Sequence, residues 1–294
     1  MESYATYKKE IDEYVTNAVK IATDLYPYLV PQYFAEAIKH ASEGGKRLRG
    51  ILALVIYDDI CLTEQIKVER KTVLDFAAGI EILHAYTLVH DDMPCMDNDS
   101  VRRGKPSVHA KYGEATALLV GDELQALGYA LTFRAFCSAN QARYFENIPK
   151  RFSGRGLIGG QIAEVEFVKN AQFFAKDKQE AQRTQINTLK TTELFSCVCE
   201  GICNILQPKD GFLSVYLAKF ATYFGNAFQI KDDIEDFLNG QDAGEFNYCE
   251  VVGLDAAKSV YKVVLKLLDG LFEDSLSEMP LLKMLTQIAL PELD

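Results

Sequence analysis

Apolar residues return every three or four positions along almost the whole chain, and this pattern limits the fold more than any other feature. Ile11, Tyr14, Val15, Val19 and Ala22 form one such row, and Val73, Phe76, Ala77 and Ile80 form another. Between Leu217 and Leu238, Phe220, Tyr223, Phe224 and Ala227 share one face while Gln229, Asp232, Asp233 and Asp236 gather on another. Strict alternation over the length of a strand is hard to find, so the chain reads as all-α. With 8 Pro in 294 residues, no Ser/Gly/Pro linker and no change of composition at mid-chain, residues 1–294 are expected to form a single domain.

Charge and cysteine usage narrow the classes of function. Lys plus Arg number 31 and Asp plus Glu 42, a net charge of 31 − 42 = −11, and no long basic block is set aside for a polyanion, so nucleic acid is not an expected partner. The 7 Cys are odd in number and lack zinc-type pairing; Cys197, Cys199 and Cys203 fall in an apolar helical run, which fits buried thiols in a reducing compartment. The first residues carry no apolar signal core. No stretch is read as approaching the roughly 18 uncharged apolar residues of a spanning helix, so a cytoplasmic chain without a membrane span is expected.

The polar residues gather into three constellations. The first is His90-Asp91-Asp92-Met93-Pro94-Cys95-Met96-Asp97-Asn98-Asp99, followed by Arg102-Arg103-Gly104-Lys105-Pro106. A helix from about Leu74 is expected to end here, because Pro94 cannot donate its backbone hydrogen bond and disfavours helix at Met93. Asp91 and Asp97 would lie on different faces of an unbroken helix, and a bulge at Met93-Pro94 would bring them together. The second is Gln229 to Asp236 on a helix, where Asp232 and Asp236 stand one turn apart and face the same way. Two unit charges 4 Å apart repel by about 4 kcal/mol at an effective dielectric of 20, so facing rims of this kind need a cation. Magnesium suits them, because it takes one or two carboxylates together with substrate phosphate. The third constellation is basic: Gly44-Gly45-Lys46-Arg47-Leu48-Arg49, Arg102-Arg103 and Lys190-Thr191. Glycine admits backbone amides to an oxyanion, Arg offers a bidentate fork and Lys a compact charge. The pair Asp58-Asp59, with no Pro or Gly nearby, reads as solvated surface.

At these residues the sequence resembles the trans-prenyl diphosphate synthases, the polyprenyl synthetase family, and within it the bacterial farnesyl type. The matching segments run in order: Gly44 to Arg49, His84 to Gly104, Gly121-Asp122 with Gln125, Gly159-Gly160-Gln161, Lys190-Thr191, and Phe228 to Asp236. The resemblance implies an all-α bundle of the isoprenoid synthase type around a deep central cavity, a homodimer, and two Asp motifs facing each other across the cavity mouth. It implies three magnesium ions on Asp91, Asp97 and Asp232, with Asp92, Asp233 and Asp236 as ligands or supports. The allylic diphosphate would be held by Arg102, Lys190, Thr191, Gln229 and Lys231, and isopentenyl diphosphate by Lys46, Arg49, His84 and Arg103. The implied chemistry is a dissociative substitution through an allylic carbocation, with the released diphosphate as final base and no nucleophilic side chain. His90 and His109 then have structural roles.

Chain length is expected to be set on the helix before the first Asp motif. Residues 86 and 87 lie about 6 to 7.5 Å below Asp91 along the axis, where Tyr86 resembles the aromatic floor of farnesyl synthases and Thr87 leaves room beside it. Farnesyl diphosphate is the expected product, geranylgeranyl diphosphate the alternative. Four departures stand out. Gly244-Glu245-Phe246-Asn247-Tyr248 places Glu245 where the family carries a Lys, Glu164 follows Gly-Gly-Gln in place of Asp, Gly50 follows Arg49 in place of Pro, and Thr192 replaces a Gly. Glu245 is the one feature favouring a non-catalytic paralogue that serves as a partner subunit. The Gly44 to Arg49 cluster and His84 speak against a terpene cyclase.

Overall fold

A computed structural model of the chain describes residues 2–170, 182, 185, 186, 188–240 and 247–293. Among these the regular structure is helical apart from one two-residue-by-two-residue hairpin, so the all-α reading holds. The chain divides into two compact units, Met1–Leu54 with Lys67–Phe145, and Val55–Ile66 with Glu146–Asp294.

The first unit holds α1 (Glu2–Asp24), α2 (Gln32–Ser42), the start of α3 (Leu48–Thr63), α4 (Arg70–Asp91), the hairpin β1 (Val101–Arg102) and β2 (Lys105–Pro106), α5 (Val108–Tyr112) and α6 (Glu114–Ser138). Its core is the pairing of α4 with α6. Gly79 and Gly128 meet back to back, and a Cβ on Gly128 would lie 2.6 Å from Leu83 Cγ and 3.0 Å from the Gly79 carbonyl oxygen. The missing side chains let the backbones approach, and Val73, Phe76, Ile80, Leu124 and Phe136 close the seam around them, all buried.

Among the described residues α4 is long and apolar enough to cross a membrane, contrary to the expectation that no stretch comes near that limit. With 78% of its apolar window buried inside the protein, it is a core helix. Its acidic side chains are matched internally: Asp75 accepts from Arg134 Nε at 3.0 Å and from Tyr14, and Glu81 accepts the Gly50 N–H at 2.8 Å. Burial pushes the Asp75 carboxyl up, and the hydrogen bonds from Arg134 and Tyr14 outweigh it, so its pKa lies below the ordinary value.

The second unit contains the remainder of α3, α7 (Asn147–Phe152), α8 (Leu157–Asn170), a π-helical turn (Thr188–Thr192), α9 (Glu193–Leu206), α10 (Leu213–Asn239), α11 (Tyr248–Val252), α12 (Leu254–Asp274) and α13 (Pro280–Ala289). The face of α10 read from the sequence is its core face. Phe220 and Phe224 stack at 5.2 Å, Phe224 meets Phe195 of α9 edge-on at 5.0 Å, and Phe220 meets Phe272 of α12 at 5.9 Å. Cys197, Cys199 and Cys203 are free and buried in α9, where burial pushes the Cys197 and Cys203 thiols up to about 12.

Asp59 corrects the surface reading of Asp58-Asp59. It is 1% exposed, and its carboxylate accepts the N–H groups of Leu281 at 3.0 Å and Leu282 at 2.8 Å, closing the N-terminus of α13.

Candidate active site

In the first unit α4 ends at Asp91, as the position of Pro94 dictates. The chain then turns back: Met93 N–H bonds the His90 carbonyl at 3.2 Å, and Asn98, at φ +56°, donates to the Met93 carbonyl at 3.1 Å. Asp97 N–H bonds the Asp91 carbonyl at 2.9 Å, so the bulge does bring the two residues together. Asp91 is half-buried and Asp97 exposed. Asp92 is 3% exposed and turned inward, where it accepts from Arg102 Nε at 2.7 Å; Arg102 also binds Asp99. Burial raises the Asp92 pKa even against the hydrogen bond from Arg102.

The hairpin sends its two arginines to different tasks. Arg103 (φ +54°) and Gly104 (φ +71°) form its turn, a left-handed conformation that is costly for Arg. Arg103 Nη1 donates to the Glu43 carbonyl at 3.0 Å, and its guanidinium covers Gly45, where a Cβ would lie 2.9 Å from Arg103 Cζ. Gly45 is therefore the seat of that guanidinium.

His84 stands at the centre of a strongly positive field. Burial pushes its pKa well below the ordinary value, and the charges of Arg49, Arg103, Arg47 and Arg102 push it further. Among the described residues its buried Nδ1 has no hydrogen-bond partner. Lys46 is exposed and Arg49 half-buried, whereas Arg47 between them is 3% exposed and bound to carboxylates below the loop. Within an acidic chain, this concentration of guanidinium around His84 makes a locally positive field.

Tyr86 and Thr87 are both buried. The Tyr86 ring meets His90 edge-on at 5.9 Å. His90 Nε2 pairs with the Leu118 carbonyl at 3.1 Å and fills the place of a side chain at Gly121, whose Cβ would lie 2.0 Å from it. His109 Nδ1 lies 3.0 Å from Ser107 Oγ.

In the second unit the π-helical turn carries Lys190 and Thr191. It fits between two glycines: a Cβ on Gly160 would lie 2.9 Å from Leu189 Cβ, and one on Gly225 would lie 2.8 Å from Thr192 Cα. Thr192, the departure from Gly, is accommodated by Gly225 and bonds Asn226 at 3.2 Å. A π turn tilts its side chains away from the helical register, which sets Lys190 against Glu164 of α8 and lets Thr191 Oγ1 donate to Gln229 Oε1 at 2.6 Å.

On α10 the acidic residues divide as they do after α4. Asp232 is half-buried and Asp236 exposed, while Asp233 is 5% exposed and engaged internally. Asp233 accepts from Gln229 Nε2 at 2.7 Å and from the Tyr248 N–H at 3.0 Å, and its carbonyl accepts from Asn247 Nδ2 at 2.6 Å. Burial pushes its carboxyl up to about 6. Lys231 is not brought together with these groups. It lies on the opposite side of the helical wheel, 7% exposed, and pairs with Glu235 at 2.6 Å.

Sequence reasoning missed Asp12, Glu81, Gly225 and Asn247. Asn247 alone left a signal, since it caps α11 through Cys249 N–H at 2.7 Å with Glu250 following in the manner of a capping box. Glu245 lies outside the described residues. Among the described residues no group of three or more His, Cys, Asp or Glu stands ready as a metal cage. Within each unit taken by itself, the outward carboxylates, Asp91 and Asp97 in the first and Asp232 and Asp236 in the second, are the oxygen donors that a hard divalent cation takes one or two at a time.

Residues 31–247 match the polyprenyl synthetase family model. The chain belongs to the polyprenyl synthetase family. It is 32% identical over 231 residues to the farnesyl diphosphate synthase of Bacillus subtilis, covering 76% of this chain and 72% of that one. The crystal structure of a geranyltransferase from Legionella pneumophila shares the fold with a TM-score of 0.80 and 26% identity, over 98% of both chains. A Helicobacter pylori geranyltransferase complexed with magnesium and isoprenyl diphosphate has a TM-score of 0.75 and 25% identity, over 99% of this chain and 97% of that one. The family match takes in both acidic motifs, the Gly44 to Arg49 loop and Lys190-Thr191, and leaves out α1, α11, α12 and α13.

Proposed function

We propose that this polyprenyl synthetase condenses isopentenyl diphosphate with dimethylallyl or geranyl diphosphate to give farnesyl diphosphate. The enzyme is a short-chain trans-prenyltransferase. The observation that carries the reading is the union, within one unit, of the guanidinium cluster around His84 with the folded-back rim of Asp91 and Asp97. A diphosphate fits the first and a divalent cation the second.

Asp91 and Asp97 in the first unit and Asp232 and Asp236 in the second would hold magnesium, three ions being expected. Bound magnesium supplies the positive charge that stabilises the leaving diphosphate. Asp92 and Asp233 act one step back: Asp92 orients Arg102, and Asp233 orients Gln229 and with it Thr191. Lys190, Thr191 and Gln229 grip the allylic diphosphate, with Glu164 holding Lys190 in place. Lys46, Arg49, His84 and Arg103 bind isopentenyl diphosphate. As the allylic bond ionises, these fixed cations and donors stabilise the charge that develops on oxygen. The isopentenyl double bond attacks the carbocation, and the released diphosphate takes the final proton.

Tyr86, packed edge-on against His90, is the floor that ends growth at fifteen carbons, with Thr87 beside it. The protein acts as a homodimer, a reading supported by the apolar row Leu119, Ala126, Ala130 and Phe133 exposed on α6. Free buried cysteines support a reducing, cytoplasmic setting.

The test is incubation of the protein with magnesium, isopentenyl diphosphate and either allylic primer, followed by chain-length analysis of the dephosphorylated products. Farnesol is expected. Geranylgeraniol would retain the enzyme and discard Tyr86 as the floor, and absence of condensation would overturn the assignment.

A further inference from the structure

The Gly44 to Arg49 loop is a demanding piece of backbone. Gly44 (φ +77°), Gly45 (φ +85°) and Arg47 (φ +55°) all lie in the left-handed region. The conformation is tolerable for glycine but costly for Arg47, so something outside the loop must hold it. What holds it is a set of groups beneath. Arg47 Nε donates to Asp12 Oδ1 of α1 at 2.7 Å, Arg47 Nη2 donates to the Ser42 carbonyl, and Nη1 faces Glu81 of α4 at 3.6 Å. One residue earlier, Tyr4 of α1 donates its hydroxyl to the Lys46 carbonyl at 2.6 Å. Asp12 is itself fixed by Lys8 at 2.6 Å; burial pushes its carboxyl up, and the bonds from Lys8 and Arg47 bring it below the ordinary value.

We propose that α1, which lies outside the family match, is a working part of the isopentenyl diphosphate subsite, with Tyr4 and Asp12 as positioning residues for Lys46 and Arg49. The inference rests on the assignment of that loop to isopentenyl diphosphate. Pulling Arg47 down into the carboxylates leaves Lys46 exposed and Arg49 half-exposed on either side of it. The Tyr4 hydroxyl fixes the peptide that carries Lys46. The bonds of Tyr4 and Asp12 run to the Lys46 carbonyl and to Arg47, so their effect is expected on one of the two substrates.

The experiment is steady-state kinetics with each substrate varied in turn, on Tyr4→Phe, Asp12→Ala and Asp12→Asn, with melting temperatures recorded for each. Tyr4→Phe removes a single oxygen from a partly exposed ring and leaves the fold intact. The KM for isopentenyl diphosphate is expected to rise by about threefold to tenfold in Tyr4→Phe and Asp12→Ala, the scale of one lost hydrogen bond, with the KM for geranyl diphosphate within about twofold. Asp12→Asn, which keeps an acceptor for Arg47, should recover most of the loss. A rise in both KM values together, as general loosening would give, overturns the proposal, and so does no change in either. If the wild-type protein condenses nothing, calorimetric titration with isopentenyl diphosphate separates the two readings. Binding that the variants leave unchanged overturns the role of α1, and no binding to wild type overturns the subsite and the inference with it.

Discussion

Gly50 stands where the resembled family commonly carries Pro, and one hydrogen bond explains the difference. Its N–H lies in the first turn of α3, where Pro is ordinarily tolerated because that N–H has no helical partner. In this chain the N–H donates at 2.8 Å to Glu81, which is buried, and a Cβ on Gly50 would already lie 3.0 Å from Glu81 Cγ. Restoring the family residue by Gly50→Pro should therefore destabilise the protein by about 1–3 kcal/mol, the cost of an under-satisfied buried carboxylate, and urea unfolding would measure it. Unchanged or increased stability would mean that Arg47 alone suffices for Glu81. The acidic residues teach the same lesson about facing. The sequence singles out six aspartates, Asp91, Asp92, Asp97, Asp232, Asp233 and Asp236, but whether each turns outward depends on backbone turns and on partners distant in sequence. Asp92 is claimed by Arg102, and Asp233 by Gln229 and the Tyr248 N–H. Asp91→Ala should cut kcat by about a hundredfold or more and raise the magnesium concentration needed for half-maximal rate. Asp92→Asn, which keeps an acceptor for Arg102, should cost about tenfold and leave the magnesium requirement unchanged. A shifted magnesium requirement in Asp92→Asn would return that carboxylate to the metal.

The elements were the most legible level, because burial of one face imposes a 3.6-residue period that any long helix must display. The C-terminal end of α4 and the core face of α10 follow directly from Pro94 and from the Phe220, Phe224 and Ala227 row, whereas α4 starts at Arg70, a turn before the expected Leu74. The hairpin was not legible: strands of two residues carry no period, and its turn uses Arg103 in a conformation that sequence rules reserve for Gly or Asn. Nor was the capping of α13, since Asp59 is separated from Leu281 by 222 positions. Asp59→Ala should lower stability by about 1–2 kcal/mol, the usual worth of a helix cap. The pH dependence gives a sharper check. Burial pushes the Asp59 carboxyl up to about 6, against hydrogen bonds from Leu281 and Leu282. An unfolded Asp titrates near 3.9, so between these values the folded state binds the extra proton. Its contribution is present in full below the unfolded pKa and is lost as pH rises through about 6. The difference in melting temperature between wild type and Asp59→Ala should accordingly be larger at pH 5 than at pH 7.5. A difference that grows toward pH 7.5 would mean that the ionised carboxylate, stabilised by the α13 N-terminus, dominates.

At the scale of the whole molecule, the uniform composition that argued for one domain conceals two compact units, and the reason is topological. The chain crosses between the units three times, at 54–55, 66–67 and 145–146, so neither unit is one continuous stretch of sequence and no linker marks a border. The first boundary falls inside α3 (Leu48–Thr63). Losing either unit would unravel part of a continuous hydrogen-bonded helix whose remainder belongs to the other, and helix formation is cooperative along its length. We therefore propose that residues 1–294 unfold as a single domain, although chains of this size commonly divide. The chain has no Trp, so single tryptophans can report separately. Tyr112→Trp places a reporter in the first unit and Phe212→Trp one in the second, where Phe212 is 68% exposed and tolerant of exchange. In urea both reporters and the helical circular dichroism should trace one coincident transition, and calorimetric and van't Hoff enthalpies should agree. Separate midpoints for the two tryptophans would show that α3 can melt from one end without the other, and would make the units independent folding domains.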